Sequence, residues 1–270
     1  MKPAAVPATA RSFVTLATRE GRELRIECEW VGRRDARGAV VVFLHEGLGS
    51  VAMWRDFPAA FCAANGLRGF VYSRPGYGGS TARPAGERWD PDFMQVQADD
   101  VLPALLAQVG IARPWLFGHS DGGSIALLHA ARSDDVAGVV AVAPHLFVED
   151  VSVASIRAAR VAYETTDLRR RLARYHDDVD SAFYGWNDVW LSPGFRNWNI
   201  EAEIATIACP VLAVQGSDDE YGTLAQVRAI ARLLPGRATV LELDGCGHSP
   251  HRDRPDALIQ AAGRFIAENS

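Results

Sequence analysis

Within the chain, Gly118-His119-Ser120-Asp121-Gly122 sets a serine between two glycines, with apolar Trp115-Leu116-Phe117 before it and Gly123-Ser124-Ile125-Ala126-Leu127 after it. The flanks read as a strand running through a tight turn into a helix, the context in which a G-x-S-x-G serine is a nucleophile. On such a turn the serine backbone is strained, and glycines two residues to either side avoid a clash. The hydroxyl then stands above the sheet, and the free N–H groups of the helix start face any anion that develops there. A glycine-rich turn whose serine merely caps a helix is the plainer alternative. The strand–turn–helix setting weighs against it.

A serine nucleophile needs a base, and the base needs an acid to orient it. Downstream, the apolar run 211–215 ends in Gly216-Ser217-Asp218-Asp219, which puts carboxylates just past a strand end. After the next strand comes Gly245-Cys246-Gly247-His248-Ser249-Pro250. Of seven histidines, His248 has the right place in the strand order and flanking glycines that let its ring reach across the sheet. The order Ser120, Asp219, His248 belongs to one fold in particular. A second glycine-rich loop, His45-Glu46-Gly47-Leu48-Gly49-Ser50, follows the first buried strand. By loop position its Gly47 N–H is the partner of the Asp121 N–H in an oxyanion hole. Glu46 is awkward there, because its charge would oppose an oxyanion. Either it pairs with Arg74, one strand over, in a bidentate contact that pins the two loops, or it faces solvent without catalytic consequence. The Arg74-Pro75-Gly76-Tyr77-Gly78-Gly79-Ser80 turn reads equally as a plain turn and as a lining of the site.

These residues need a scaffold. Alternating segments at 13–18 and 24–31 predict an antiparallel hairpin, and the first ten residues, rich in Pro and Ala, read as loose. Runs at 39–45 and 115–118 predict strands buried in the sheet, the first on both faces, and further strands are predicted at 69–73, 136–143, 211–215 and 239–243. Helices are predicted between them at 51–64, 90–109 (kinked at Pro103), 122–132, 223–234 and 256–268. Strands alternating with helices imply right-handed βαβ units and a mostly parallel sheet. The alternation breaks once. Between His145 and Cys209 no buried strand is legible, and helices are predicted at 152–163, 167–176 and 177–191, ending at Pro193-Gly194. Such an insertion is most simply a helical cap over the carboxyl ends of the strands, where ligands of open sheets bind. Its aromatics, Tyr163, Tyr175, Phe183, Tyr184, Trp186, Trp190, Phe195 and Trp198, serve mostly to dock it, with one or two left to line an apolar pocket. Arginines 169–171 and Arg174 read as a solvated helix face.

Five landmarks in order carry a resemblance over nearly the whole chain: the H-x-G loop at His45, P-G-Y-G-x-S at Pro75, G-H-S-D-G at Ser120, G-x-x-D at Gly216 and G-x-G-H at Gly245. Together they resemble the α/β-hydrolase superfamily. The resemblance implies an eight-stranded, mostly parallel sheet flanked by helices, with core residues 1–145 and 209–270 and a cap at 146–208. It also implies Ser120 as nucleophile, His248 as general base and acid, and Asp219 as the acid, three residues after Gly216, with Asp218 turned to a loop N–H. The implied activity is hydrolysis of a small, largely apolar carboxylic ester through an acyl-enzyme, with thioester or lactone close behind. A serine at 120 excludes the aspartate-dependent epoxide hydrolases and dehalogenases, and the cysteine-dependent dienelactone hydrolases. Carbon–carbon bond hydrolysis, with Arg74 or a cap arginine gripping a carboxylate, is the enzymatic rival, and a non-catalytic ligand receptor is the other. Glu46, where many capped relatives have glycine, sets this chain apart. Candidate pocket residues are His45, Glu46, Leu48, Arg74, His119, His145, Trp186 and Trp190.

Composition narrows the rest. The 270 residues carry a net charge of −5, which gives no electrostatic reason to bind nucleic acid or an anionic membrane. The longest apolar stretches are too short to span a bilayer, and nothing after Lys2 reads as a secretory leader. Four cysteines, widely spaced with no C-x-x-C, argue against a zinc site or disulfide framework. No nucleotide-binding or metal-ligand motif appears. The expectation is a cytoplasmic protein, monomeric or homodimeric, acting on a small molecule without a cofactor or metal.

Overall fold

The structure is a computed structural model that describes residues 11–17, 21–32 and 39–270; the first ten residues and the tip of the predicted hairpin lie outside these. Eight strands form one sheet: β1 (Ser12–Ala17), β2 (Glu23–Gly32), β3 (Val40–Leu44), β4 (Arg68–Tyr72), β5 (Trp115–His119), β6 (Gly138–Val142), β7 (Val211–Gly216) and β8 (Ala238–Leu243). Their order is β1-β2-β4-β3-β5-β6-β7-β8. The β1–β2 and β2–β4 pairs are antiparallel, and every pair from β4 to β8 is parallel. The interior strands β5, β6 and β7 are buried along their whole length, whereas the edge strand β8 keeps exposed positions. That is why the interior strands read as unbroken apolar runs.

The helices are α1 (Phe57–Asn65), α2 (Phe93–Val96), α3 (Leu102–Val109), α4 (Asp121–Arg132), α5 (Asp150–Thr165), α6 (Leu168–Leu172), α7 (Val179–Trp190), α8 (Glu201–Ile204), α9 (Ala225–Leu233), α10 (Pro250–Asp253) and α11 (Pro255–Glu268). Two apolar clusters flank the sheet. One joins α2, α3, α4 and the β6–β7 insertion, and the other joins α1 and α11. Two predicted helices are broken. Residues 51–64 form a short 3₁₀ turn, Ala52–Trp54, and then α1, because Arg55 between them takes a left-handed φ of 52°. Residues 90–109 form α2 and α3 joined by a π-turn at Gln97–Val101. The wider turn lets Pro103, in the first turn of α3, follow without displacing a helical N–H donor.

The insertion between β6 and β7 holds four helices. α5, α6 and α7 pack on one another, whereas α8 packs on α4 and α9 of the sheet domain. Its two ends are tied together by the Ile200 N–H on the Leu146 carbonyl (2.8 Å) and a Phe147–Asn199 bridge. No helix among the described residues is long and apolar enough to cross a membrane.

Candidate active site

The elbow follows β5. Ser120 has φ 54° and ψ −121°, a strained conformation for a residue with a side chain. The turn holds because the neighbouring backbone crowds in: a Cβ at Gly118 would press on the Gly122 carbonyl, and one at Gly122 on the Leu44 carbonyl. Ser120 Oγ lies 2.9 Å from His248 Nε2, and His248 Nδ1 lies 2.9 Å from both carboxylate oxygens of Asp219. Asp219 also accepts from the N–H groups of Tyr221 (2.8 Å) and Gly222 (3.2 Å) and from Gln215 Nε2 (2.6 Å). Burial works to raise its carboxyl. The His248 and Tyr221 hydrogen bonds outweigh that, leaving it below the ordinary aspartate range. Asp218 is exposed and accepts from the Ser217 hydroxyl at 3.0 Å, a side-chain donor in place of the expected loop N–H. Gln215 escaped the sequence reading. Its signal is one amide at the carboxyl end of the otherwise apolar β7.

The N–H groups of Gly47 and Asp121 both stand at this end of the sheet, and neither has an acceptor among the described residues. His45 is fully buried and holds the loop from behind. Its Nε2 accepts the Arg74 backbone N–H (2.9 Å), so its Nδ1 carries the proton it donates to the Glu46 carbonyl (2.7 Å). Burial, with Arg74 nearby, keeps the ring neutral, well below the ordinary histidine range. The expected Glu46–Arg74 side-chain pair is absent. Arg74 Nη2 donates instead to the Glu46 carbonyl (2.8 Å) and lies 3.9 Å from Asp121 Oδ2, while the Glu46 carboxylate turns to His119 and Arg252. The arginine side chain is short of the carboxylate because the loop backbone, nearer to it, takes its donor first.

The insertion between β6 and β7 reaches the same two oxyanion candidates. Trp186 of α7 lies over Gly47 so closely that a Cβ there would run into its indole. One turn on, Trp190 Nε1 donates to Asp121 Oδ1 at 3.2 Å, and its ring packs against His145, 4.9 Å between centroids. Burial raises the Asp121 carboxyl to about 6, with Arg74 and the Trp190 hydrogen bond opposing it. His176, in the insertion, takes the Gly78 N–H on Nδ1 (3.0 Å) and donates from Nε2 to the Leu48 carbonyl (2.9 Å). It thereby ties the insertion to both loops.

Of the candidate pocket residues, His45, Arg74, His119, His145, Trp186 and Trp190 are buried, and Glu46 and Leu48 are partly exposed. Most aromatics of the insertion pack on one another, as Tyr163–Phe183 and Trp190–Phe195–Trp198 do. Arg169 pairs with Asp180, and Arg170 and Arg171 with Asp167, all at the surface. Ser120 itself is only 6% exposed. A cavity of about 670 Å³ beside the site is lined by Arg74, Tyr77, Trp89 and Phe93, and does not open on the Ser120–His248 pair. Among the described residues no cluster suits a metal ion.

A parallel sheet with a serine elbow after its central strand, and an acid and a histidine beyond later strands, defines an α/β-hydrolase-fold protein. Residues 41–261 match the profile of the Alpha/beta hydrolase family, and the chain belongs to that family. It is 26% identical over 262 residues to the sn-1-specific diacylglycerol lipase of Mus musculus, covering 86% of this chain and 82% of that one. It is 24% identical over 255 residues to the 2-succinyl-6-hydroxy-2,4-cyclohexadiene-1-carboxylate synthase of Salmonella paratyphi A, covering 84% and 93%. A solved esterase from Thermogutta terrifontis superposes with a TM-score of 0.72 at 20% identity, over 96% of this chain and 100% of that one.

Proposed function

We propose that this protein is a serine hydrolase that cleaves a small, largely apolar carboxylic ester, with a thioester or lactone as close variants. Residues 146–208 act as its cap. The observation that carries the reading is the continuous hydrogen-bonded line Ser120–His248–Asp219 under a strained elbow. In this mechanism Ser120 Oγ attacks the acyl carbonyl while His248 Nε2 takes its proton. The N–H groups of Gly47 and Asp121 receive the oxyanion. Collapse expels the alcohol, which takes the proton back from His248 and leaves an acyl-serine. Water then attacks with His248 as base, releasing the acid and freeing Ser120. Asp219 fixes the imidazole with Nε2 toward the serine.

The carbon–carbon rival needs an arginine free to hold a carboxylate. Arg74 is 1% exposed and already occupied, and three cap arginines face acids at the surface. The test is a panel of acyl esters of graded chain length, aryl esters, thioesters and lactones, run beside a fluorophosphonate probe. Turnover of short or medium acyl esters and stoichiometric labelling are expected. Tight ligand binding with no turnover and no labelling would replace the enzyme with a receptor.

A further inference from the structure

Glu46 still needs a counter-charge. Its carbonyl, not its carboxylate, takes the hydrogen bonds of Arg74 and His45. The carboxylate folds over Gly49 and presents Oε2 to His119 Nδ1 at 3.7 Å and Oε1 to Arg252 Nη2 at 3.8 Å; 18% of the side chain is exposed. His119 is the residue before the elbow serine, and its Nε2 lies 2.7 Å from the carbonyl oxygen of His248.

That last contact fixes a proton. A carbonyl oxygen only accepts, so Nε2 carries hydrogen. In a neutral ring Nδ1 would then be a bare lone pair. It is buried, has no hydrogen-bond partner, and faces a carboxylate. Two acceptors pointed at each other in a buried place repel, and one more proton turns the repulsion into an attraction.

We propose that Glu46 and His119 share one additional proton as an imidazolium–carboxylate pair, and that the pair is a positioning unit holding the His248 loop by its carbonyl while cancelling the Glu46 charge beside the oxyanion loop. This rests on Ser120 acting as the nucleophile. The surroundings agree. His251 packs edge-on to His119 at 4.8 Å and is kept neutral by burial, its value pushed down to about 2. His248 lies 5.1 Å away, and His45 is neutral and buried. Arg74 and Asp121 face each other on the far side of the loop, and Arg252 is the remaining cation. Burial alone would lift the Glu46 carboxyl; its contact with His119 outweighs that and holds it well below the ordinary glutamate range. The molecule thus has two acid–histidine pairs, one for proton transfer and one that locks the loop carrying it.

The test has two arms on the full chain. Histidine ¹⁵N NMR of the wild-type protein at neutral pH, assigned by comparison with His119→Gln, is expected to show both ring nitrogens of His119 protonated. Glu46→Gln should reduce it to a single N–H. A neutral His119 in the wild type overturns the pair, whatever the variants do. In the second arm, His119→Gln keeps a donor for the His248 carbonyl but strands the Glu46 charge, and should slow fluorophosphonate labelling about tenfold. The double variant Glu46→Gln/His119→Gln removes the stranded charge and should recover most of that rate. A merely structural role predicts no recovery, and a double variant as slow as His119→Gln discards the proposal. A wild-type protein that never reacts with the probe would count against the serine hydrolase reading, while the NMR still decides the pair.

Discussion

The site has two walls, built in different ways. The sheet-side wall is hung from strand ends: Ser120 after β5, Asp219 after β7, His248 after β8 and the Glu46–Gly47 loop after β3. Its members are joined by directional hydrogen bonds, and Asp219 alone accepts from His248, Gln215, Tyr221 and Gly222. The cap-side wall rests on aromatic contacts plus a few polar ties, chiefly the Trp190 indole on Asp121 and the His176 ring on Leu48. Packing forces fall away once surfaces part, whereas the Ser120–His248–Asp219 hydrogen bonds run between loops fixed at strand ends. On the proposed function, the chemical step belongs to the sheet-side wall and closure over the substrate to the wall formed by the insertion. Substitutions on the two sides should then divide between loss of turnover and altered substrate range.

The largest effect belongs to the proposed nucleophile. Ser120→Ala should lower kcat/KM by roughly five orders of magnitude or more and leave thermal unfolding nearly unchanged, since one oxygen is lost. Retained turnover would move the chemistry off this wall. Next comes the acid. Asp219→Asn should cost about 10⁴-fold in kcat, because an amide can hold His248 in the wrong tautomer. The exposed neighbour Asp218→Asn should change little. A larger loss at 218 than at 219 would reverse the assignment made from the hydrogen bonds.

The same contrast explains what the sequence discloses. Interior strands are legible because burial on both faces demands unbroken apolar runs, and the elbow because close backbone approach demands Gly118 and Gly122. The strand order and the elbow at Ser120 come from those two constraints, whereas the choice of Asp219 over Asp218 comes from the family resemblance. What escapes is the direction of side chains leaving loops. Glu46 and Arg74 are neighbours as expected, yet the arginine bonds the carbonyl and the carboxylate turns to His119. No local pattern encodes that choice. His176 escapes for a related reason: its partners, Gly78 and Leu48, lie 98 and 128 residues away in the chain. The break at Arg55 and the π-turn before Pro103 are local backbone responses to packing, below the resolution of hydrophobic periodicity.

Acid sensitivity should also divide between the walls. His45, His129, His145, His176 and His251 are all held below the ordinary histidine value by burial, His145 down to about 3 and His251 to about 2. As pH falls below about 6.5 the unfolded chain takes up protons that these rings refuse in the folded state. Stability therefore falls with pH, by at most about 1.4 kcal/mol per pH unit for each histidine. Asp121, raised to about 6, works the other way between pH 6 and the ordinary aspartate range, because there the folded state holds the extra proton. Urea unfolding at pH 7.5, 6.5 and 5.5 should show a steepening loss. His251→Phe should flatten it by about one proton, and His176→Asn in the insertion should flatten it in the same direction. A flat wild-type profile would contradict the buried neutral rings.

The smallest effect falls on the seam between the walls. Trp190→Phe keeps an aromatic ring against His145 and Phe195 but deletes the N–H that reaches Asp121 Oδ1. Asp121 supplies one proposed oxyanion N–H, so the loss loosens the elbow from the cap side while every sheet-side hydrogen bond remains. A hydrogen bond to a carboxylate contributes about 1.5 kcal/mol or more, which sets a loss in kcat/KM of about tenfold. The sign of the pH effect follows from the charge. The indole donor favours the ionised carboxylate, so removing it extends the neutral form of Asp121 above its present value of about 6. Any limb of the pH profile that reports this group should move to higher pH in Trp190→Phe. An unmoved profile with unchanged kcat/KM would mean that the cap covers the site without gripping it, and the two walls would then be mechanically independent.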